Sequence, residues 1–200
     1  MKLRSEKALT TEDKIVDAAL DVVQTKTISG TRIHLVAARA GLFQSNIHYY
    51  FKSKRDLLFA VLQRLHQRCE DIRAELRTEA GANLEEQLDV FFDQKKQFIL
   101  HETRYDYAEI DFWTQAHLDE EVKARFQASF GKWREEIGRV IARYAPQVSK
   151  KRRDFVSALM VSMMEGATLQ YLVDAQAFDL DEYFAQCKRT VMMQLRETDR

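Results

Sequence analysis

The sequence predicts an all-α protein, a small N-terminal helical domain followed by a larger helical one, with about nine helices in all. Three observations carry this. Proline occurs once, at Pro146, and glycine only six times in 200 residues, so long stretches are free of breakers. Apolar residues recur at helical spacing along almost the whole chain, and no segment alternates as a half-buried strand would. Hydrophobic residues make up 46% and charged residues 31%, a balance that supports a packed core and excludes wholesale disorder.

The first helix is marked by Ile15, Ala18, Ala19, Val22 and Val23, one face of an amphipathic helix. Thr10 and Thr11 can cap it, Glu12 and Asp13 suit its positive end, and it ends near Gly30. A second helix fits Thr31 to Ala40, with Thr31 as N-cap and Gly41 as the left-handed residue that closes it. A short third fits Gln44 to Tyr50. Ser53 then caps a long fourth, with Asp56 at the capping-box position and Leu58, Leu62, Leu65, Cys69, Ile72 and Leu76 inward. Gly81-Ala82-Asn83 breaks the chain, and Leu88, Phe91, Phe92, Phe98 and Ile99 stripe a fifth helix. A sixth covers Arg104 to Ala116. Asp119 opens a seventh, whose inner face runs from Val122 through Phe126, Trp133 and Ile141 to Tyr144, and Pro146 follows its end. An eighth runs from about Ser149 to Val173 and a ninth from about Leu180 to Arg196. There is no internal repeat and no low-complexity linker. The eighth helix is apolar nearly all round, so it needs cover on two sides: its own core, and a cavity or second subunit.

Charge is uneven beneath a net of zero. Residues 1–66 hold 11 Lys/Arg against 6 Asp/Glu, the remainder 20 against 25. A basic end on an otherwise acidic chain suits a polyanionic partner. Cys69 and Cys187 lie far apart with no CxxC spacing, which reads as two reduced thiols rather than a disulfide or metal site. No apolar stretch follows the first charges as in a secretory leader, and no run reaches the roughly 18 apolar residues of a membrane helix. A cytoplasmic protein with no membrane partner, no cofactor and no metal is expected.

The segment from Thr31 to Leu58, TRIHLVAARAGLFQSNIHYYFKSKRDLL, reads as a helix-turn-helix. Val36, Ala37 and Ala40 face a core, Gly41 makes the tight turn, and Ile47 and Phe51 anchor the third helix. That leaves Gln44, Ser45, Asn46, His48 and Tyr49 projecting outward, a hydrogen-bonding and aromatic set suited to base edges in a major groove. Tyrosine hydroxyls, histidine and Lys54 can hold phosphates, and Lys54 opens a helix whose free N–H groups favour an anion.

This segment resembles the DNA-binding domain of the tetracycline-repressor (TetR) family. That pattern has a threonine opening the second helix, an alanine-rich inner face, Ala-Gly-apolar at the turn, then Leu-Tyr-x-Tyr-Phe-x-x-Lys-x-x-Leu. Here stand Thr31, Ala37, Ala40-Gly41-Leu42, Ile47, Tyr50-Phe51, Lys54 and Leu57. The resemblance implies phosphate contacts from Thr31, His34, Tyr50 and Lys54, base contacts from Gln44, Ser45, Asn46 and His48, and Tyr49 at the groove edge. Arg32 joins this DNA-binding set. Two positions depart from the pattern: Phe43 stands where Ser or Thr usually caps the third helix, and His48 where Tyr is common. The resemblance further implies a homodimer on the eighth and ninth helices, with Phe155, Leu159, Gly166, Val191 and Leu195 as candidate contacts.

Phe112-Trp113 with Ala116, and Glu165-Gly166, resemble the subgroup that includes choline-responsive repressors. Tyr105, Tyr107, Phe112, Trp113, Met160, Met163, Met164 and Glu165 are then candidates to line an effector cavity, with Glu109 or Asp111 as further polar partners. The expected organisation is a DNA-binding domain over residues 1–58 and an effector-binding and dimerisation domain over 59–200. The expected function is a repressor, released from a palindromic operator in double-stranded DNA by a small-molecule inducer. The fourth helix would carry the signal, since it belongs to both domains. A helical protein–protein module without DNA binding is the alternative. An enzyme is less favoured: there is no phosphate-binding glycine loop, and the five histidines lack ligand spacing.

Overall fold

The computed structural model describes residues 10–196. Its elements, in order, are α1 (Thr11–Gly30), α2 (Ile33–Ala40), α3 (Gln44–Tyr50), α4 (Lys54–Arg77), α5 (Leu84–His101), α6 (Thr103–Ala116), α7 (Glu120–Tyr144), α8 (Lys150–Val173) and α9 (Leu180–Arg196). No strand occurs among the described residues.

Local punctuation explains most boundaries. The Thr10 hydroxyl accepts from the Asp13 N–H at 3.1 Å, and the Asp13 carboxylate accepts in return from the Thr10 N–H at 3.1 Å. Ser53, Asn83, Asp119 and Ser149 each accept from a first-turn N–H and so cap α4, α5, α7 and α8. Each cap satisfies N–H groups that a first helical turn leaves unpaired.

The start of α2 differs from expectation. It begins at Ile33, with Arg32 in the cap position and no side-chain cap bond. Thr31 is fully buried, and its hydroxyl donates to the Thr27 carbonyl at 2.7 Å. The cause lies one turn earlier. Thr27 sits at φ 62, a left-handed conformation that kinks the end of α1 and turns its carbonyl toward Thr31. Thr31 therefore closes α1 instead of opening α2.

Two apolar clusters hold the molecule. The first joins α1–α4 to Phe98, Tyr105, Ala108 and Phe112 of α5 and α6 and to Val122 and Phe126 of α7. The second lies among α5, α7, α8 and α9, with Phe91, Phe92, Ile137, Met160, Met164 and Phe184 at its centre. The first cluster runs past residue 58 without interruption, so the helix-turn-helix is seated on the larger domain by shared core.

By length and composition α8 is the one described helix apolar enough to cross a membrane. Here Val156, Met160, Val161, Met164 and Ala167 of α8 are buried in the second cluster, while Phe155, Leu169 and Val173 remain exposed.

Candidate nucleic-acid interface and effector cavity

Gly41 fixes the angle between α2 and α3. It adopts φ 66, and the chain reverses through bonds from Leu42 N–H to the Ala37 carbonyl (2.9 Å) and Gly41 N–H to the Ala38 carbonyl (3.2 Å). This closure needs a left-handed residue that only glycine adopts without strain. Buried Val36, Ala37, Ile47 and Phe51 then pin α3 to the core. Gln44, Ser45, His48, Tyr49 and Tyr50 point outward and are exposed, and the Tyr49 and Tyr50 rings meet edge-on with centroids 5.1 Å apart. Phe43 has no side-chain acceptor for the cap. Asn46 supplies the reciprocal bond instead: its Oδ1 accepts from the Phe43 N–H at 3.0 Å, which engages the carbonyl and not the amide NH2.

Around α3 the placement is mixed. His34 and Arg32 are exposed, and Arg32 donates to the Ser29 carbonyl at 2.6 Å. Thr31 is interior. Lys54 is half-buried and donates to the Ile28 carbonyl at 2.7 Å. Burial, with Arg32 nearby, holds its ammonium below the ordinary lysine range, against the pull of Asp111. Three aspartates of α1 are ion-paired at its seams: Asp13 and Asp17 by Arg64, and Asp21 by Arg39 and Arg104.

Asp111, on α6, ties the two regions together. Its carboxylate accepts the Ile28 N–H freed by the Thr27 kink. The adjoining Ile28 carbonyl holds Lys54. A single residue of α1, Ile28, is thus clamped between α6 and the start of α4.

On the other side of α6 lies a cavity of about 50 Å3 among α4, α5, α6, α7 and α8. Leu65, His66, Cys69, Glu70 and Arg73 line it from α4, Gln94 and Lys95 from α5, Glu109 from α6, Ser129, Lys132 and Trp133 from α7, and Glu165 from α8. It adjoins a groove of about 280 Å3 between α4 and α7, which shares His66, Glu70, Ser129 and Lys132. An ion pair between Glu70 and Lys132 spans the mouth, and Arg77 binds Glu136 at 2.6 Å further along the same seam.

The inner wall holds one ammonium among three carboxylates. Lys95 is 3% exposed and stands 3.4 Å from Asp106, 3.9 Å from Glu109 and 3.4 Å from Glu165. Burial opposes its charge, but Glu165, Asp106 and Glu109 together more than reverse this and keep it protonated. Burial, reinforced by Glu165 and only partly offset by Lys95, pushes the Glu109 carboxyl up to about 8. Burial likewise holds His66 neutral by lowering its affinity for a proton.

The eight sequence candidates for the effector cavity separate. Glu165 lines it. Tyr105 packs on Phe98 in the first cluster. Phe112 and Trp113 belong to the same cluster, with Trp113 stacked among Phe126 and Phe130. Met160, Met163 and Met164 pack in the second cluster, and Tyr107 faces solvent. Lys95, Gln94, Arg73 and His66 were not candidates, although the paired Lys95-Lys96 on an apolar-striped helix was the available signal. Of the candidate dimer contacts, Phe155 is exposed, Leu159 and Gly166 are half-buried, and Val191 and Leu195 are buried within the protomer.

Two family models match this chain: "Bacterial regulatory proteins, tetR family" over residues 15–61, and "BetI-type transcriptional repressor, C-terminal" over residues 107–196. An uncharacterised helix-turn-helix regulator of Xanthobacter autotrophicus is 40% identical over 63 residues, 32% of this chain and 31% of that protein. The regulator BetI of Cronobacter sakazakii is 22% identical over 169 residues, 84% of this chain and 82% of that protein. A regulator from Saccharomonospora viridis, solved in complex with choline, superposes with a TM-score of 0.76 at 20% identity, covering 94% of this chain and 98% of that one.

Proposed function

Because the chain belongs to the TetR family of bacterial transcriptional regulators, we propose that it is a cytoplasmic homodimeric repressor that releases a palindromic operator when a small molecule enters the cavity between α4 and α8. The observation that carries this is the construction of α3. A seven-residue helix is held by one buried isoleucine and one buried phenylalanine, and the rest of its surface is hydrogen-bonding and aromatic. A solvated helix would gain nothing from exposing Tyr49 and Tyr50. A helix seated in a major groove uses its amides and imidazole on base edges, with tyrosine hydroxyls on phosphates.

The partner subunit would cover the exposed apolar strip Phe155, Leu169 and Val173 of α8 with Met193 of α9. A two-fold axis there sets two α3 helices for successive major grooves. The effector reading rests on polar groups converging on a partly open cavity. The choline seen with the Saccharomonospora viridis regulator supports a compact, charged effector.

Titration of labelled DNA with the protein over a salt series tests the reading. Operator affinity should fall steeply with salt, with a slope set by the phosphates contacted. Asn46→Ala or His48→Ala should lower operator affinity toward that for random DNA. Equal affinity for every sequence in both variants and the unaltered protein would reject the assignment of α3.

A further inference from the structure

The choice of ligand turns on which polar atoms of the cavity lack partners. Gln94 is 1% exposed and lines it. Its carbonyl oxygen accepts from Arg73 at 3.0 Å, yet its amide nitrogen has no partner among the described residues. The same holds for Trp133 Nε1 and His66 Nε2, while Glu165 Oε1 makes no hydrogen bond and has only the Lys95 ammonium at 3.4 Å. Buried donors and acceptors left open are costly, so a site with both has room for a molecule that supplies both.

The charges separate in the same way. Arg73 pairs with Glu136, and Lys132 with Glu70. Lys95 alone answers Asp106, Glu109 and Glu165, and none of its contacts is shorter than 3.4 Å. An anion would meet the carboxyls of Glu109 and Glu165, with Lys95 the one ammonium within 4 Å of either among the described residues. A cation would relieve them.

We infer that the cavity takes a compact amine that is protonated and keeps its N–H bonds, with an oxygen a few atoms away, and that it disfavours a quaternary ammonium. The N–H groups would donate to Glu165 and Glu109, and the oxygen would accept from Gln94 and Trp133. A trimethylammonium group is held by several aromatic faces. Here Phe112, Trp113, Phe126 and Phe130 pack among themselves in the first cluster, and Trp133 is the single tryptophan, tyrosine or phenylalanine in the lining. A methylated nitrogen would also leave Glu165 Oε1 without a hydrogen bond. The 50 Å3 cavity suits the amine head and two or three carbons, and any longer tail would lie in the α4–α7 groove.

The inference rests on the cavity being the effector site, and two readouts separate the two claims. Calorimetry on the full-length protein would measure binding of ethanolamine, its N-methyl and N,N-dimethyl forms and choline, and of butylamine through butyltrimethylammonium. Affinity should drop along each series, the fully methylated member binding at least ~10-fold more weakly than the primary amine, as expected for a lost hydrogen bond to a charged group. Glu165→Gln should flatten both series. If that variant fails to fold, Glu109→Gln provides the same comparison. Tighter binding of choline than of ethanolamine, or no binding tighter than ~1 mM by any member, overturns the inference. Operator release is read separately by DNA anisotropy. Binding without release would leave the ligand class standing and reject the coupling, whereas release by an unrelated molecule would do the reverse.

Discussion

Asn46 does two things at once, and separating them gives a residue-scale prediction. Its carbonyl oxygen closes the start of α3 where Phe43 cannot, while its amide nitrogen, not engaged in that bond, is the group we propose for a base. Asn46→Ala removes both and should lower folding stability by ~1 kcal/mol, as loss of a cap does, besides loosening specificity. Asn46→Asp keeps the acceptor, so urea unfolding should show near-normal stability while operator binding is lost to charge repulsion. Equal stability of the alanine variant and the unaltered protein would remove the capping role. Glu109 gives a second prediction. Its carboxyl is raised to about 8 by burial and by Glu165, with Lys95 from α5 opposing and Asp106 adding to it. A carboxyl bound more tightly to its proton in the folded state contributes stability below the ordinary carboxylate range. That contribution is lost as pH climbs through about 8. Between about pH 5 and 9 the protein should therefore lose at least ~1 kcal/mol relative to Glu109→Gln, which has no carboxyl to ionise. Parallel stability curves for the two proteins would contradict this.

At the scale of elements, α6 is the transmitter we propose. The sequence pointed to α4, which does pack Leu57 and Leu58 beneath α3 and lines the cavity with Cys69 and Arg73. What it did not reveal is that α6 touches both sites: Glu109 faces the cavity while Asp111, two residues on, grips the kinked end of α1. The missing signal was the kink itself, because nothing in Thr25–Gly30 marks Thr27 for a left-handed conformation. Most other boundaries were legible, since Thr10, Gly41, Ser53, Asp119 and Ser149 act within one turn of themselves. Asp111→Ala should leave amine affinity unchanged while reducing the effect of that ligand on operator binding from the ~5–150-fold typical of coupled sites toward none. Full coupling in the variant would return the role to α4 alone.

For the molecule as a whole, legibility follows sequence distance. The recognition surface lies within thirty or so residues, and its spacing was readable. The cavity joins Arg73, Lys95, Glu109 and Glu165 from four helices, and each alone looks like a solvated surface charge. Trp113 and the methionines, which had seemed the better candidates, fill ordinary core because aromatic and thioether groups pack well against any apolar neighbour. The dimer unites these levels. If α8 and α9 pair two-fold, the α3 helices read half-sites about 34–36 Å apart, and a ligand that shifts α6 changes that spacing. The most direct test is selection of bound sequences from a random duplex pool by the full-length protein, repeated with the α3 variant His48→Ala. The account predicts enrichment of one two-fold-symmetric site with half-sites about one helical turn apart, and loss of that enrichment in the variant. A pool that stays random, or an identical site selected by the variant, would contradict it.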